Sequence, residues 1–77
     1  MIITLKQNTK KNEMDIKVNR EQRIMDTLLI LIDGGILQEQ SDLEKNTIYS
    51  ERLDKKIDVK MTYEQAEVYN GDILYLD

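Results

Sequence analysis

Arg23-Ile24-Met25-Asp26-Thr27-Leu28-Leu29-Ile30-Leu31-Ile32-Asp33-Gly34-Gly35 is the stretch that decides the fold. Ile24, Leu28, Leu31 and Ile32 recur at i, i+4, i+7 and i+8, so they share one face of a helix over Arg23–Asp33. Asn19, with Gln22 three residues on, predicts a capping box, and Glu21 suits the positive end of the helix dipole. Gly34-Gly35 supplies the left-handed residue that stops the helix. Leu29 and Ile30 make the apolar stripe wider than one sheet needs. Cover by the following loop would account for them, and so would a contact made by the helix.

On either side of this helix the period is that of strands. Residues 2–7 read as one, and residues 14–19 as another, with Met14, Ile16 and Val18 alternating against Asp15, Lys17 and Asn19. The polar run Asn8-Thr9-Lys10-Lys11-Asn12-Glu13 between them makes a hairpin. After the helix, residues 36–46 are polar with three apolar anchors and read as a loop, with room for one helical turn. Thr47 to Glu51 predicts a third strand around Ile48 and Tyr49. The stretch 52–63 holds one short strand among Leu53, Ile57, Val59, Met61 and Tyr63. Asn70-Gly71-Asp72 is a tight turn into a terminal strand, Ile73-Leu74-Tyr75-Leu76.

Hairpins in sequence cannot bury a single helix unless the sheet wraps it. The expected architecture is therefore α+β: a mixed sheet of four or five strands in one layer over one helix, as a single domain spanning residues 1–77. In that solution the terminal strand lies centrally, parallel to the first. This is the β-grasp arrangement.

Composition narrows function mainly by exclusion. The 77 residues contain no Cys and no His, which removes disulfides, thiolate nucleophiles, imidazole acid–base chemistry and the usual transition-metal ligands. Trp and Phe are also absent, leaving four tyrosines as the aromatics. Binding becomes the default and an enzyme is not expected. The net charge of -4 gives no electrostatic footprint for nucleic acid. The charge is uneven, since Lys6, Lys10, Lys11, Lys17 and Arg20 make the first 20 residues basic and the rest is acidic. The longest apolar run, Leu28 to Ile32, falls far short of the roughly 20 residues of a membrane span, so no membrane insertion is expected. Without an export signal the expected location is cytoplasmic.

No chemical site stands out. Asp54 with Asp58, or Glu64 with Glu67, have the spacing of acid–base pairs, but the sequence marks no apolar or basic surroundings that would fit them for that work, and a solvated face explains them. Asp33-Gly34, and Asp42 with Glu44, lack the ligand spacing of a calcium loop. No catalytic residue, metal site or cofactor is therefore expected. Lys6, Lys10, Lys11 and Lys17 read as solubility and edge protection before they read as a site for acidic partners or lipid headgroups. Gly71 is expected at positive φ. If Leu74 and Leu76 face the helix, alternation turns Ile73 and Tyr75 outward, with Tyr49 nearby on the third strand.

The amphipathic hairpin, the helix Ile24–Asp33, the stretch beginning Thr47-Ile48-Tyr49 and the ending Ala66-Glu67-Val68-Tyr69-Asn70-Gly71-Asp72-Ile73-Leu74-Tyr75-Leu76 resemble a ubiquitin-like protein. More narrowly, the chain is similar to the small bacterial YukD/EsaB-type proteins encoded with type VII secretion systems. The likeness covers almost the whole length and is most specific in the ending, with the spacing from Ile48 to Gly71 fitting without a gap. Where relatives open the helix with proline, this chain has Arg23. The resemblance implies a non-catalytic ubiquitin-fold adaptor or regulatory component of that secretion machinery, acting in the cytoplasm by protein–protein contact. Relatives of ubiquitin dock partners through the open sheet face, which nominates Tyr49, Ile73 and Tyr75 as protein-binding residues. Ubiquitin-type modifiers and sulfur carriers end in a free Gly-Gly carboxylate, whereas this sequence ends in Tyr75-Leu76-Asp77. The alternative is thus a diverged modifier or sulfur carrier whose Gly-Gly tail is missing from this chain. A third is a subunit that associates with itself as a homodimer.

Overall fold

Alternation of apolar side chains sets up the first two strands. The structure is a computed structural model and describes residues 1–7, 12–36 and 47–76. β1 (Ile2–Gln7) and β2 (Asn12–Lys17) pair antiparallel, with Ile3 opposite Ile16 and Leu5 opposite Met14. Ile3 and Leu5 are fully buried, while Met14 and Ile16, with only one neighbouring strand, are half-buried. β2 begins two residues earlier than the sequence predicts, because pairing with Gln7 carries the ladder to polar Asn12. It ends at Lys17, although Val18 still donates to the Met1 carbonyl at 2.8 Å.

The predicted capping box does not form. Asn19 instead closes a turn ahead of the helix, its side-chain oxygen accepting from the Glu21 amide at 3.0 Å and its carbonyl from Gln22 at 3.1 Å. α1 runs Ile24–Asp33 with Arg23 at its N-cap, and no side chain caps it. None is needed at the first two amides: Ile24 donates to the Met61 carbonyl at 3.0 Å and Met25 to that of Val59 at 2.8 Å. A tertiary contact thus takes the place of the local signal. At the other end Gly35 sits at φ +76, its amide bonded to the Ile32 carbonyl and the next amide, Ile36, bonded to Leu31. That pair of bonds is the Schellman stop expected of Gly34-Gly35.

Three further strands complete the sheet: β3 (Thr47–Ser50), β4 (Lys55–Asp58) and β5 (Ile73–Tyr75). Their order is β2-β1-β5-β3-β4, with β5 parallel to β1 and antiparallel to β3. Among the described residues the fold is therefore α+β, a five-stranded mixed sheet with one helix in the β-grasp arrangement. β5 is one residue shorter than the sequence suggests, yet the Leu76 amide still bonds to the Lys6 carbonyl at 2.9 Å.

Helix and sheet share one core. Ile24, Met25, Leu28 and Leu31 from α1 are buried with Ile3, Leu5, Ile48, Ile57 and Leu74 from the strands. Ile32, predicted on the same helical face, is half-buried. Val59, Tyr63, Ala66 and Val68 fill one end of that core from a turn-rich segment that belongs to no strand or helix. Tyr63 is 1% exposed, and its hydroxyl donates to Thr27 Oγ1 of the helix at 2.8 Å. Of the predicted loop over residues 36–46, residues 37–46 lie outside the described residues. Leu29 and Ile30 are 47% and 64% exposed.

Two outcomes test this packing. Leu28 is 2% exposed, so Leu28→Ala should lower unfolding free energy by about 2–5 kcal/mol in a denaturant titration. Burial, helped by the Asp26 charge, raises the Tyr63 phenol above its ordinary 10.0. The unfolded chain then ionises first, so this contribution to stability is complete below pH 10.0 and is lost as pH rises through the folded value. Tyr63→Phe should flatten that alkaline fall, seen by comparing the two unfolding midpoints on either side of pH 10.0.

Candidate functional site

Among the described residues no helix covers the sheet's second face, and strand alternation decides what stands on it. With Leu74 fully buried, its neighbours Ile73 and Tyr75 turn to the open side, where each is half-buried. Antiparallel pairing of β3 with β5 sets Tyr49 directly opposite Tyr75. Their ring centroids are 6.0 Å apart at 57°, a tilted contact within the favourable range for aromatic pairs. All three residues nominated by the sequence thus share one face, two of them in ring contact.

Lys6, which pairs with Tyr75 across the parallel β1–β5 ladder, brings Nζ to 5.8 Å from that ring centroid. The same ammonium lies 3.8 Å from Glu13 on β2. On the other flank the Tyr49 hydroxyl donates to Asp54 Oδ1, and Asp54 holds φ +53 in the β3–β4 turn. That bond to a carboxylate is the main cause that raises the Tyr49 phenol above its ordinary value. A shallow cavity of about 170 Å³ lies beside the pair, lined by Thr47, Tyr49, Lys56, Tyr75 and Leu76. The arrangement offers two amphipathic rings and one aliphatic side chain, with cations and carboxylates around them. It suits recognition of a protein surface.

Other nominated residues fall elsewhere. Lys17 is exposed on β2, while Lys10, Lys11, Asp42 and Glu44 lie outside the described residues. Asp58 Oδ1 accepts from the Lys60 amide at 2.9 Å, a turn role, and Asp54 serves Tyr49. Gly71 has φ +88, as expected. No helix among the described residues is long and apolar enough to cross a membrane.

Sequence reasoning missed the cluster around Arg52. Asp72, 7% exposed, accepts two bonds from Arg52 Nε at 2.9 and 3.1 Å and a third from the Tyr69 amide at 2.9 Å. The guanidinium also lies 4.5 Å from the Tyr69 ring centroid and donates to the Glu67 carbonyl. Asp72 raises the guanidinium pKa above its ordinary value. Nothing in the local sequence pairs Arg52 with a residue 20 positions away. Only the turn Asn70-Gly71-Asp72 was legible.

Fold and face together define a β-grasp domain with a tyrosine-centred open sheet. No protein-family model matches the chain, and no curated protein matches it.

Because Asp72 is buried and Arg52 caps it, the two should act as a unit. Arg52→Ala and Asp72→Ala should each lower the unfolding midpoint, and the double variant should lose less than the two losses combined. Additive losses in that cycle would show that the pair contributes nothing jointly.

Proposed function

We propose that this protein is a non-catalytic ubiquitin-fold adaptor or regulatory component of a bacterial type VII secretion system, working in the cytoplasm by protein–protein contact. The observation that carries the reading is the Tyr49–Tyr75 pair with Ile73 on the sheet face opposite α1. Half-buried tyrosines on a regular surface supply large contact area at little cost in side-chain entropy, and such residues recur as binding anchors. The likeness of residues 66–76 to the endings of YukD/EsaB-type proteins supports the choice of machinery. In this reading the rings contact the partner, Lys6 and Lys56 set orientation by charge, and Asp54 holds the Tyr49 ring in place.

The test is co-purification from a bacterium encoding this chain beside a secretion locus. The tagged wild type should retain components of the secretion machinery. The variant Tyr49→Ser with Tyr75→Ser should stay folded by circular dichroism and lose them. Retention by the folded double variant would move the contact to another surface. Capture of no secretion component by the wild type would overturn the reading.

A further inference from the structure

We propose that this chain forms a symmetric dimer by pairing the edge of β2, which no described strand covers, with β2 of a second copy, giving one continuous ten-stranded sheet. The inference does not depend on the secretion reading. The sheet order leaves β2 and β4 at its two edges. β4 has only four residues, carries Lys55 and Lys56, and follows Asp54 at positive φ, which are the features of a protected edge. β2 has six residues paired without interruption, and its core-facing Met14 and Ile16 remain half-buried.

Backbone parity fixes which residues face outward. The Val18 amide donates to the Met1 carbonyl at 2.8 Å, and the Met1 amine donates to the Val18 carbonyl at 3.0 Å. Met1 and Val18 are thus a hydrogen-bonded pair, and alternation along the antiparallel ladder makes Ile16 and Met14 the next ones. Glu13, Asp15 and Lys17 therefore turn their main-chain groups to the open edge. An antiparallel partner must pair through these same three residues.

Charge then selects the register. Placing Glu13 opposite Lys17 sets Asp15 against Asp15 on the symmetry axis. A shift one way sets Glu13 against Asp15 twice, and a longer shift the other way sets Lys17 against Lys17. One register avoids like charges: Asp15 opposite Lys17 of the second copy, twice by symmetry, with Ile16 opposite Ile16 and Met14 opposite Val18 on the core side. Thr4 Oγ1 donates to Asp15 Oδ1 at 2.7 Å, which orients the carboxylate and leaves its second oxygen to take the lysine. A contact of one strand from each copy is small beside the roughly 1,200 Å² of a stable complex, so the dimer is weak and concentration-dependent.

Sedimentation of the full chain from micromolar to millimolar concentration tests this. The wild type should pass from monomer to dimer, with amide exchange at Glu13, Asp15 and Lys17 slowing as the dimer fills. Asp15→Lys and Lys17→Glu each turn two attractive pairs into repulsive ones, and each should weaken self-association by about tenfold or more. Mixing these two variants restores both pairs, so the mixture should form a heterodimer with near wild-type affinity. A wild type that stays monomeric at millimolar concentration overturns the proposal. So does a dimer that either variant leaves intact, or one in which the mixture gains nothing over the separate variants.

Discussion

Seating β5 between β1 and β3 is the constraint on which the molecule depends, because these three residues join the sheet's β2-β1 half to its β3-β4 half. Main-chain bonds hold the junction on both sides. Gly71 donates to the Ile2 carbonyl at 2.7 Å, Thr4 to Asp72 at 2.9 Å, and Glu51 to Ile73 at 3.1 Å. The Asn70 side chain adds a bond from the Ile2 amide at 2.8 Å. The approach needs Gly71 at φ +88, where a side chain would be strained. It also needs Asp72 buried and neutralised by Arg52, since an unpaired carboxylate there would be strongly unfavourable.

The same seating creates the candidate site. Leu74 enters the core at the sheet's centre, so Ile73 and Tyr75 must emerge on the far face. β3 then brings Tyr49 against Tyr75, and β1 brings Lys6. Lys6, Tyr49 and Tyr75, from three strands far apart in the chain, meet because one short strand has partners on both sides. The surface is a by-product of burying Leu74, and its residues stand on regular strands, which keeps the two rings in fixed relation.

Opposite the site, α1 is fixed more by the turn-rich segment after β4 than by its own sequence. Its first two amides bond to that segment's carbonyls, Tyr63 reaches Thr27, and Glu64 and Tyr63 donate to Arg20 and Gln22 at 3.0 and 3.1 Å. The segment therefore closes the end of the core that the strands leave open. Leu29 and Ile30 project away from all of this, which is why the helix shows an apolar stripe broader than its buried face.

How much of this was legible in the sequence follows from the range of each interaction. Elements set by side-chain periodicity were readable: the helix through Ile24, Leu28 and Leu31, the strands through Ile3, Leu5, Ile48 and Leu74, the stop at Gly34-Gly35, and the left-handed turn at Gly71. The outward turn of Ile73 and Tyr75 was readable too, because a two-residue period assigns faces as soon as one residue is known to be core. The ends of β2 and β5 and the helix cap were not. Asn19 looked like a helix cap and became a turn residue, because the helix starts only at Ile24, where the Met61 and Val59 carbonyls accept from its first two amides. The Arg52–Asp72 pair, the Tyr63–Thr27 bond and the ring contact of Tyr49 with Tyr75 join residues 20, 36 and 26 positions apart. Local pattern determined which side chains enter the core, because burial follows periodicity. Which of them touch was decided by the order of strands in the sheet, and that order is a property of the assembled layers alone.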